Sequence, residues 1–403
     1  MEKQMRRSLK LSSAIAATLS FSTPVFAVEP EPIEIGALNL FPTVDAEWTH
    51  SDNMYLRNTG AASSNLFEIT PRLAAVAQSE GGSNLALEAQ VMDGNYSISS
   101  VDDYTDWRAA GDLNLVINTR NLLSFNAYML SSHEKRGTGY SQGLLDLGIA
   151  TEYEDTYFGG NYVFGSEDSA RLVLGLNTLE KSYTNLRAIT RFRDTDRVNW
   201  NAAFYWSLSP RTDILVEYQA TDVDYVTDPV AVVGAGDTLD SDESYFYVGV
   251  AWEATALTSG SIKIGQGEKE YTDADRVDVD GFSYELNIDW NPLTYSNVNF
   301  NATQGFGESY GIGNALDNST LGITWVHEWS DRISSLASYS TVSEHYEGVN
   351  RSDDTDSISL GLVYNVQRWM DLNFSVSDTS KDSTFSGFSY DETSVALGLS
   401  LSL

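Results

Sequence analysis

The chain has 403 residues, no cysteine, and 57 acidic against 24 basic residues, a formal net charge of −33. This balance excludes a nucleic-acid partner, because phosphate contacts need clustered cations. The lack of cysteine excludes disulfides, thiolate chemistry and zinc held by cysteine.

The N-terminus predicts export. Lys3, Arg6, Arg7 and Lys10 make a basic start, and an apolar run rich in small residues follows from Leu11 to about Phe21. Val25-Phe26-Ala27 then places small residues at the −3 and −1 positions of a cleavage site. The run is too short, and too rich in Ser and Thr, to anchor the chain in a bilayer. Residues 1–27 are therefore expected as a cleaved signal peptide. Its removal takes away four basic residues and one acidic residue, moving the net charge from −33 to −36. Residues 28–39 read as a short periplasmic segment. Residues 40–403 read as one uniform unit with no apolar stretch long enough for a membrane helix.

That unit has a period of two. Leu85, Leu87, Ala89 and Val91 alternate with Asn84, Ala86, Glu88 and Gln90. Val198, Trp200, Ala202, Phe204 and Trp206 alternate with Asn199, Asn201, Ala203, Tyr205 and Ser207. Similar runs start near Phe246, Phe282 and Ile358, and a last one, Val395 to Leu403, ends the chain. Side chains alternate across a strand, so each run turns one apolar and one largely polar face. Runs of about 10–13 residues suit a tilted strand crossing a bilayer. A soluble sandwich would bury the Asn, Ser, Asp, Glu and Arg of the second face in a dry core, at the cost of unpaired polar groups. A water-filled lumen removes that cost. Trp48, Tyr104, Trp107, Trp200, Trp252, Trp290, Tyr295, Trp329 and Trp369 are expected as lipid-facing girdles.

Short and long connections alternate along the chain, which predicts an all-β, antiparallel up-and-down transmembrane β-barrel of about 18 strands. An even count puts both termini on the periplasmic side of a Gram-negative outer membrane. Too few residues precede the first strand for a plug domain, so any occlusion falls to loops. His133–Asp155 and Tyr225–Ser241 are the candidates by length, and Leu144–Tyr153 within the first reads either as strand or as loop.

No catalytic set emerges. His50, His133, His327 and His345 have only the acidic neighbours that an acidic chain gives by chance. Asp222, Asp224, Asp228, Asp237, Asp240 and Asp242, like Asp273, Asp275, Asp278 and Asp280, fit no calcium-loop spacing and read as solvated loops. No metal or cofactor is expected. The lumen-facing candidates by register are Arg72, Glu88, Arg108, Asp112, Arg171, Glu217, Lys263, Glu285 and Asp289, a mixed set able to tune what passes. Tyr128, Tyr205, Tyr245 and Tyr247 share that face and could stack on sugars.

Several stretches together resemble the β-barrel porins of exopolysaccharide and capsule operons, the EpsL-like group. They are Thr49-His50-Ser51-Asp52-Asn53-Met54-Tyr55, Ile69-Thr70-Pro71-Arg72-Leu73, Arg136-Gly137-Thr138-Gly139-Tyr140, Arg193-Asp194-Thr195-Asp196-Arg197 and Phe204-Tyr205-Trp206-Ser207-Leu208-Ser209-Pro210-Arg211-Thr212. The resemblance covers nearly all of the chain after Ala27. It implies a pore that lets a nascent polysaccharide cross the outer membrane. Implied partners are outer-membrane lipids, lipopolysaccharide, the polysaccharide itself and periplasmic export machinery. Leu403 stands where such barrels commonly end in Phe. A general diffusion porin and a surface interaction protein anchored by its barrel remain the alternatives.

Overall fold

The computed structural model describes residues 31–142, 147–227, 238–253, 257–309 and 313–402. The expected signal peptide, Asp228, Asp237 and Leu403 lie outside the described residues.

The strands are β1 (Ile33–Ile35), β2 (Leu38–Ser51), β3 (Ser64–Gln78), β4 (Asn84–Tyr96), β5 (Tyr104–Asn118), β6 (Asn121–Glu134), β7 (Thr151–Gly165), β8 (Ala170–Tyr183), β9 (Thr195–Ser209) and β10 (Thr212–Tyr225). They continue as β11 (Ser241–Trp252), β12 (Thr258–Tyr271), β13 (Val279–Leu293), β14 (Ser296–Glu308), β15 (Ala315–Ser330), β16 (Ile333–Tyr346), β17 (Arg351–Gln367), β18 (Met370–Ser383) and β19 (Tyr390–Ser402). Each strand from β2 to β19 pairs antiparallel with the next, and β19 returns to β2, from Ser394↔Ser51 to Ser402↔Thr43. The result is a closed barrel of 18 strands with no free edge around its wall. β7 begins at Thr151, so Leu147 to Ala150 precede the strand, while Leu144 to Asp146 lie outside the described residues.

The period-two pattern decides which face is which. Phe374, Leu397, Leu362 and Trp206 are exposed on the outer face. Leu360, near the middle of β17, is 58% exposed between Ala337 and Val376. Leu360→Arg should lower unfolding stability by about 2–4 kcal/mol, the cost of a cation at the bilayer midplane. Urea unfolding in lipid vesicles measures it; a change near zero would mean that this face does not meet lipid.

The wall outgrows the bilayer. Strands of 12 to 17 residues exceed the ~9–11 that a crossing needs. Outward positions nearest the long loops are acidic, and several oppose each other directly: Glu180↔Asp196, Asp222↔Asp242 and Glu268↔Asp280. Opposed like charges cost up to ~1 kcal/mol each, which only water makes tolerable. These pairs therefore stand above the lipid.

Several loop acids have a more local role. The N–H of the strand residue at the loop end needs an acceptor once pairing stops. Asp103 accepts from the Tyr96 N–H at 2.7 Å, Asp194 from Tyr183 at 2.9 Å, Asp240 from Tyr225 at 2.7 Å and Asp278 from Tyr271 at 2.9 Å. The aspartates thus end strands as well as face solvent.

One expectation needs correction. Tyr104 is not in the lipid-facing girdle: it donates a hydrogen bond to Glu68 and packs 4.0 Å, centroid to centroid, from His133, both across the inner face. Trp107, three positions on, has the opposite parity and faces out. The residues just before the barrel carry a short strand of their own. β1 folds back on β2, Ile33↔Leu40 to Ile35↔Leu38, beside the pairing of β2 with β19, which runs to Ser402↔Thr43. Glu31 pairs there with Arg368 at 3.1 Å.

Candidate functional site: the lumen

Contacts that skip a strand identify the concave face, since only there do side chains of non-adjacent strands converge. Lys263 on β12 bonds Glu217 on β10 at 2.9 Å and Glu285 on β13 at 2.6 Å. Gln219 bridges Glu217 (2.9 Å) and Glu285 (3.3 Å). Arg171 on β8 reaches Asp213 on β10 at 2.6 Å, passing over the Tyr205 ring of β9 at 4.1 Å. Arg72 donates to Gln90 at 3.2 Å, and Arg108 pairs with Glu88 at 3.3 Å. Asp112 lies on the same face of β5 as Arg108, opposite Asn126, and Asp289 accepts from Asn299 at 3.1 Å.

The nine candidates thus share the concave face but not one site. Glu217, Lys263 and Glu285 come together, and so do Glu88 and Arg108; Arg72, Arg171 and Asp289 find partners outside the set, and Asp112 faces Asn126 without a hydrogen bond. Gln90, Asp213 and Gln219 were missed, although each sits at the right parity on its strand. Arg108 and Glu88 keep 32% and 37% of their side-chain surface exposed although they point inward. Water therefore reaches this part of the lumen. Lys263, only 8% exposed, is locked in its pairs.

The tyrosines divide. Tyr128 and Tyr205 are half-buried on the lumen wall. Tyr245 accepts from the Phe306 N–H at 2.8 Å. Tyr247 is only 2% exposed, with its hydroxyl 2.7 Å from Ser283, so its ring is not available to a solute.

Loops narrow the long-loop end. The segment after β6 runs inward: Lys135 pairs with Glu392 on β19 at 3.2 Å, and Gln142 accepts from Arg351 on β17 at 3.1 Å. These strands lie five and seven places around the wall from β6. Arg136 stacks 4.3 Å over Tyr55 and pairs with Asp102 at 3.2 Å, tying in the loops after β2 and β4. Gly137 makes this packing possible: its φ is +92°, and a Cβ there would strike the Tyr55 carbonyl. Arg351 is 1% exposed and Asp353 is 0% exposed; Arg351 is also sandwiched by Phe388 (4.0 Å) and Tyr346 (4.1 Å). Lys381 joins Asp353 at 2.8 Å. On the opposite side, Arg193 donates to the Ser309 carbonyl at 2.5 Å, linking the β8–β9 and β14–β15 loops. Length favoured His133–Asp155 correctly, but the help from the shorter loops after β2 and β4 was not foreseen. Most of the Tyr225–Ser241 connection lies outside the described residues.

Charge is unevenly spread. On β2–β5 the inward acids are Asp45, Glu47, Glu68, Glu88, Asp106 and Asp112, against the cations Arg72 and Arg108. Glu47 and Glu68 oppose each other directly. The β14–β19 wall carries mostly Asn, Ser and Thr at its inward middle, including Asn299, Asn301, Ser338, Ser340, Ser359 and Ser375.

Of the histidines, His133 contacts Asp106 at 3.1 Å and His345 contacts Ser352 at 2.9 Å, while His50 meets Asn65 at 2.9 Å. His327 packs among Tyr295, Trp325 and Trp329. Among the described residues, no three His, Asp or Glu side chains are placed to hold a metal ion.

Residues 27–403 match the family described as "Putative beta-barrel porin 2". No curated protein matches the chain. Among solved structures, a BenF-like porin from Pseudomonas fluorescens Pf-5 is 9% identical, with 90% of this chain and 99% of that one covered and a TM-score of 0.48. Pseudomonas aeruginosa OccK2 (OpdF) is 12% identical, with 90% and 98% covered and a TM-score of 0.48. Pseudomonas aeruginosa OpdO is 13% identical, with 92% and 98% covered and a TM-score of 0.49.

Proposed function

The chain belongs to the "Putative beta-barrel porin 2" family, and on that premise we propose that it is a passive outer-membrane pore for small hydrophilic solutes that prefers neutral and cationic ones. The observation that carries this reading is the hydrated, acid-rich β2–β5 wall. Rings of carboxylate favour cations in a pore and repel anions. The reading is of a channel rather than an enzyme, with the short turns and both termini on the periplasmic side and the acidic long-loop end facing lipopolysaccharide.

The test is single-channel recording of the refolded chain in a planar bilayer under a KCl gradient. The expected reversal potential has the sign of K⁺ selectivity. It should move toward zero in Glu47→Gln/Glu68→Gln, and an anion-selective wild type would sink the proposal.

Passage of a polysaccharide is the second reading. The amide- and hydroxyl-lined β14–β19 wall favours it, because such groups suit a neutral glycan. The loop contacts that cross the mouth oppose it unless the mouth opens. An acidic polymer fits the acid-rich wall poorly. Block of the current by a neutral polysaccharide added from the periplasmic side would support this reading, and indifference would count against it.

A further inference from the structure

Inward positions on the β5–β9 wall fall into rows set by register. In the first, Tyr128 opposes Tyr157, their rings 7° from parallel with centroids 4.9 Å apart. The Arg108 guanidinium lies 5.4 Å from the Tyr128 centroid and is held by Glu88. Guanidinium, ring and ring thus stack along the wall. The next row toward the short turns is Asp112, Asn126, Gly159, Asn177 and Asn199, each opposite the one before. The third is Asn114, Ser124, Asn161, Gly175 and Asn201.

The glycines make room for their neighbours. A Cβ on Gly159 would come within 2.5 Å of the Asn126 amide oxygen and 2.6 Å of the Tyr157 hydroxyl. One on Gly175 would collide with the amides of Asn161 and Asn201. Side chains therefore lean along the wall over the glycines instead of filling the lumen. Some of the amides bond each other, as Asn177 does Asn199 at 3.3 Å. Those of Asn126, Asn161 and Asn201 have no hydrogen-bond partner among the described residues. Each amide group offers a donor and an acceptor side by side. A pair of adjacent sugar hydroxyls offers the same two functions in the complementary arrangement, and the C–H face of a pyranose is an apolar surface for an aromatic ring.

We propose that this wall is a binding track for a neutral saccharide, with Tyr128 and Tyr157 as the stacking platform and Asn126, Asn161 and Asn201 as the hydroxyl-reading amides. The track names the solute class for the pore described above and rests on that reading. The acid-rich wall beside it excludes anionic competitors. The six-membered set of Arg108, the two rings and the three amides lies in the middle and short-turn half of the barrel, away from the loops at the mouth.

The test adds maltotriose or cellotriose to the conducting channel and measures current interruptions, alongside calorimetric titration of the same sugars into the folded full-length mature protein in detergent. Expected are brief, concentration-dependent blocks. Tyr128→Ala and Asn161→Ala should each weaken them roughly tenfold relative to the open current of the same variant, with the folded form still resistant to unheated SDS. Tyr128→Phe, which keeps the ring, should retain the block. No binding of either sugar by either method would overturn the track, as would blocks indifferent to both Ala variants. Calorimetric binding by a folded but non-conducting protein would support the track and overturn the pore instead.

Discussion

Replacing residues 136–142 by a flexible Gly-Ser linker should raise the single-channel conductance severalfold without unfolding the barrel. The segment carries Arg136, Gly137 and Gln142, whose contacts with Tyr55, Asp102 and Arg351 hold three loops together across the long-loop end. It adds no strand to the wall, so its loss leaves the ladders intact. Gly137→Val should reproduce part of the effect, since a side chain at φ +92° is strained and would strike the Tyr55 carbonyl. If conductance stays the same in both variants, the narrow point lies deeper in the lumen and the loop only decorates the mouth.

Asp353→Ala should be the most destabilising single change at the mouth, on the order of 3–5 kcal/mol. Asp353 is the shared partner of Arg351 and Lys381, and all three are nearly sealed from water. Removing the carboxylate leaves Arg351 without its ion-pair partner in a place where hydration cannot replace it; Lys381 keeps Glu344, at 3.6 Å. Asp353→Asn should cost nearly as much, because a neutral amide cannot balance two cations. Glu268→Gln, on the outer acidic rim opposite Asp280, should be neutral or slightly stabilising. Denaturant titration in lipid vesicles compares the three. Arg351 also grips Gln142, so Asp353→Ala and the loop replacement should be strongly non-additive in conductance. Simple additivity would mean that the buried cluster does not anchor the loop.

The barrel was legible because alternation reports which way each side chain points, and a closed sheet has only two faces. That sufficed to put Arg72, Glu88, Arg108, Asp112, Arg171, Glu217, Lys263, Glu285 and Asp289 on one of them. It did not tell which would meet. Lys263 joins Glu217 across an intervening strand, and that depends on the stagger between β10 and β12, which no single strand's pattern contains. Tyr247 illustrates a second limit: parity turned it inward, but the Ser283 contact that covers it comes from β13. Tyr104 shows a third. Nearness to a strand end suggested an interfacial ring, whereas its parity relative to Trp107 was the better guide. Arg351 was not singled out because the rings that bury it, Phe388 and Tyr346, are brought to it only by the fold.

The seam between the last strand and β2 bears on how the barrel closes. Every ladder but one in the wall joins strands that are consecutive in the chain and form by local hairpin zipping. The exception joins the two ends of the molecule: Ser51 bonds Glu392, 341 positions away. Loop-closure entropy falls heavily on that one event, so seam formation is the step that commits a curled, still open sheet to the native state. That seam runs from Thr43 to Ser51 on β2, and β1 covers the edge of Leu38–Leu40 beside it.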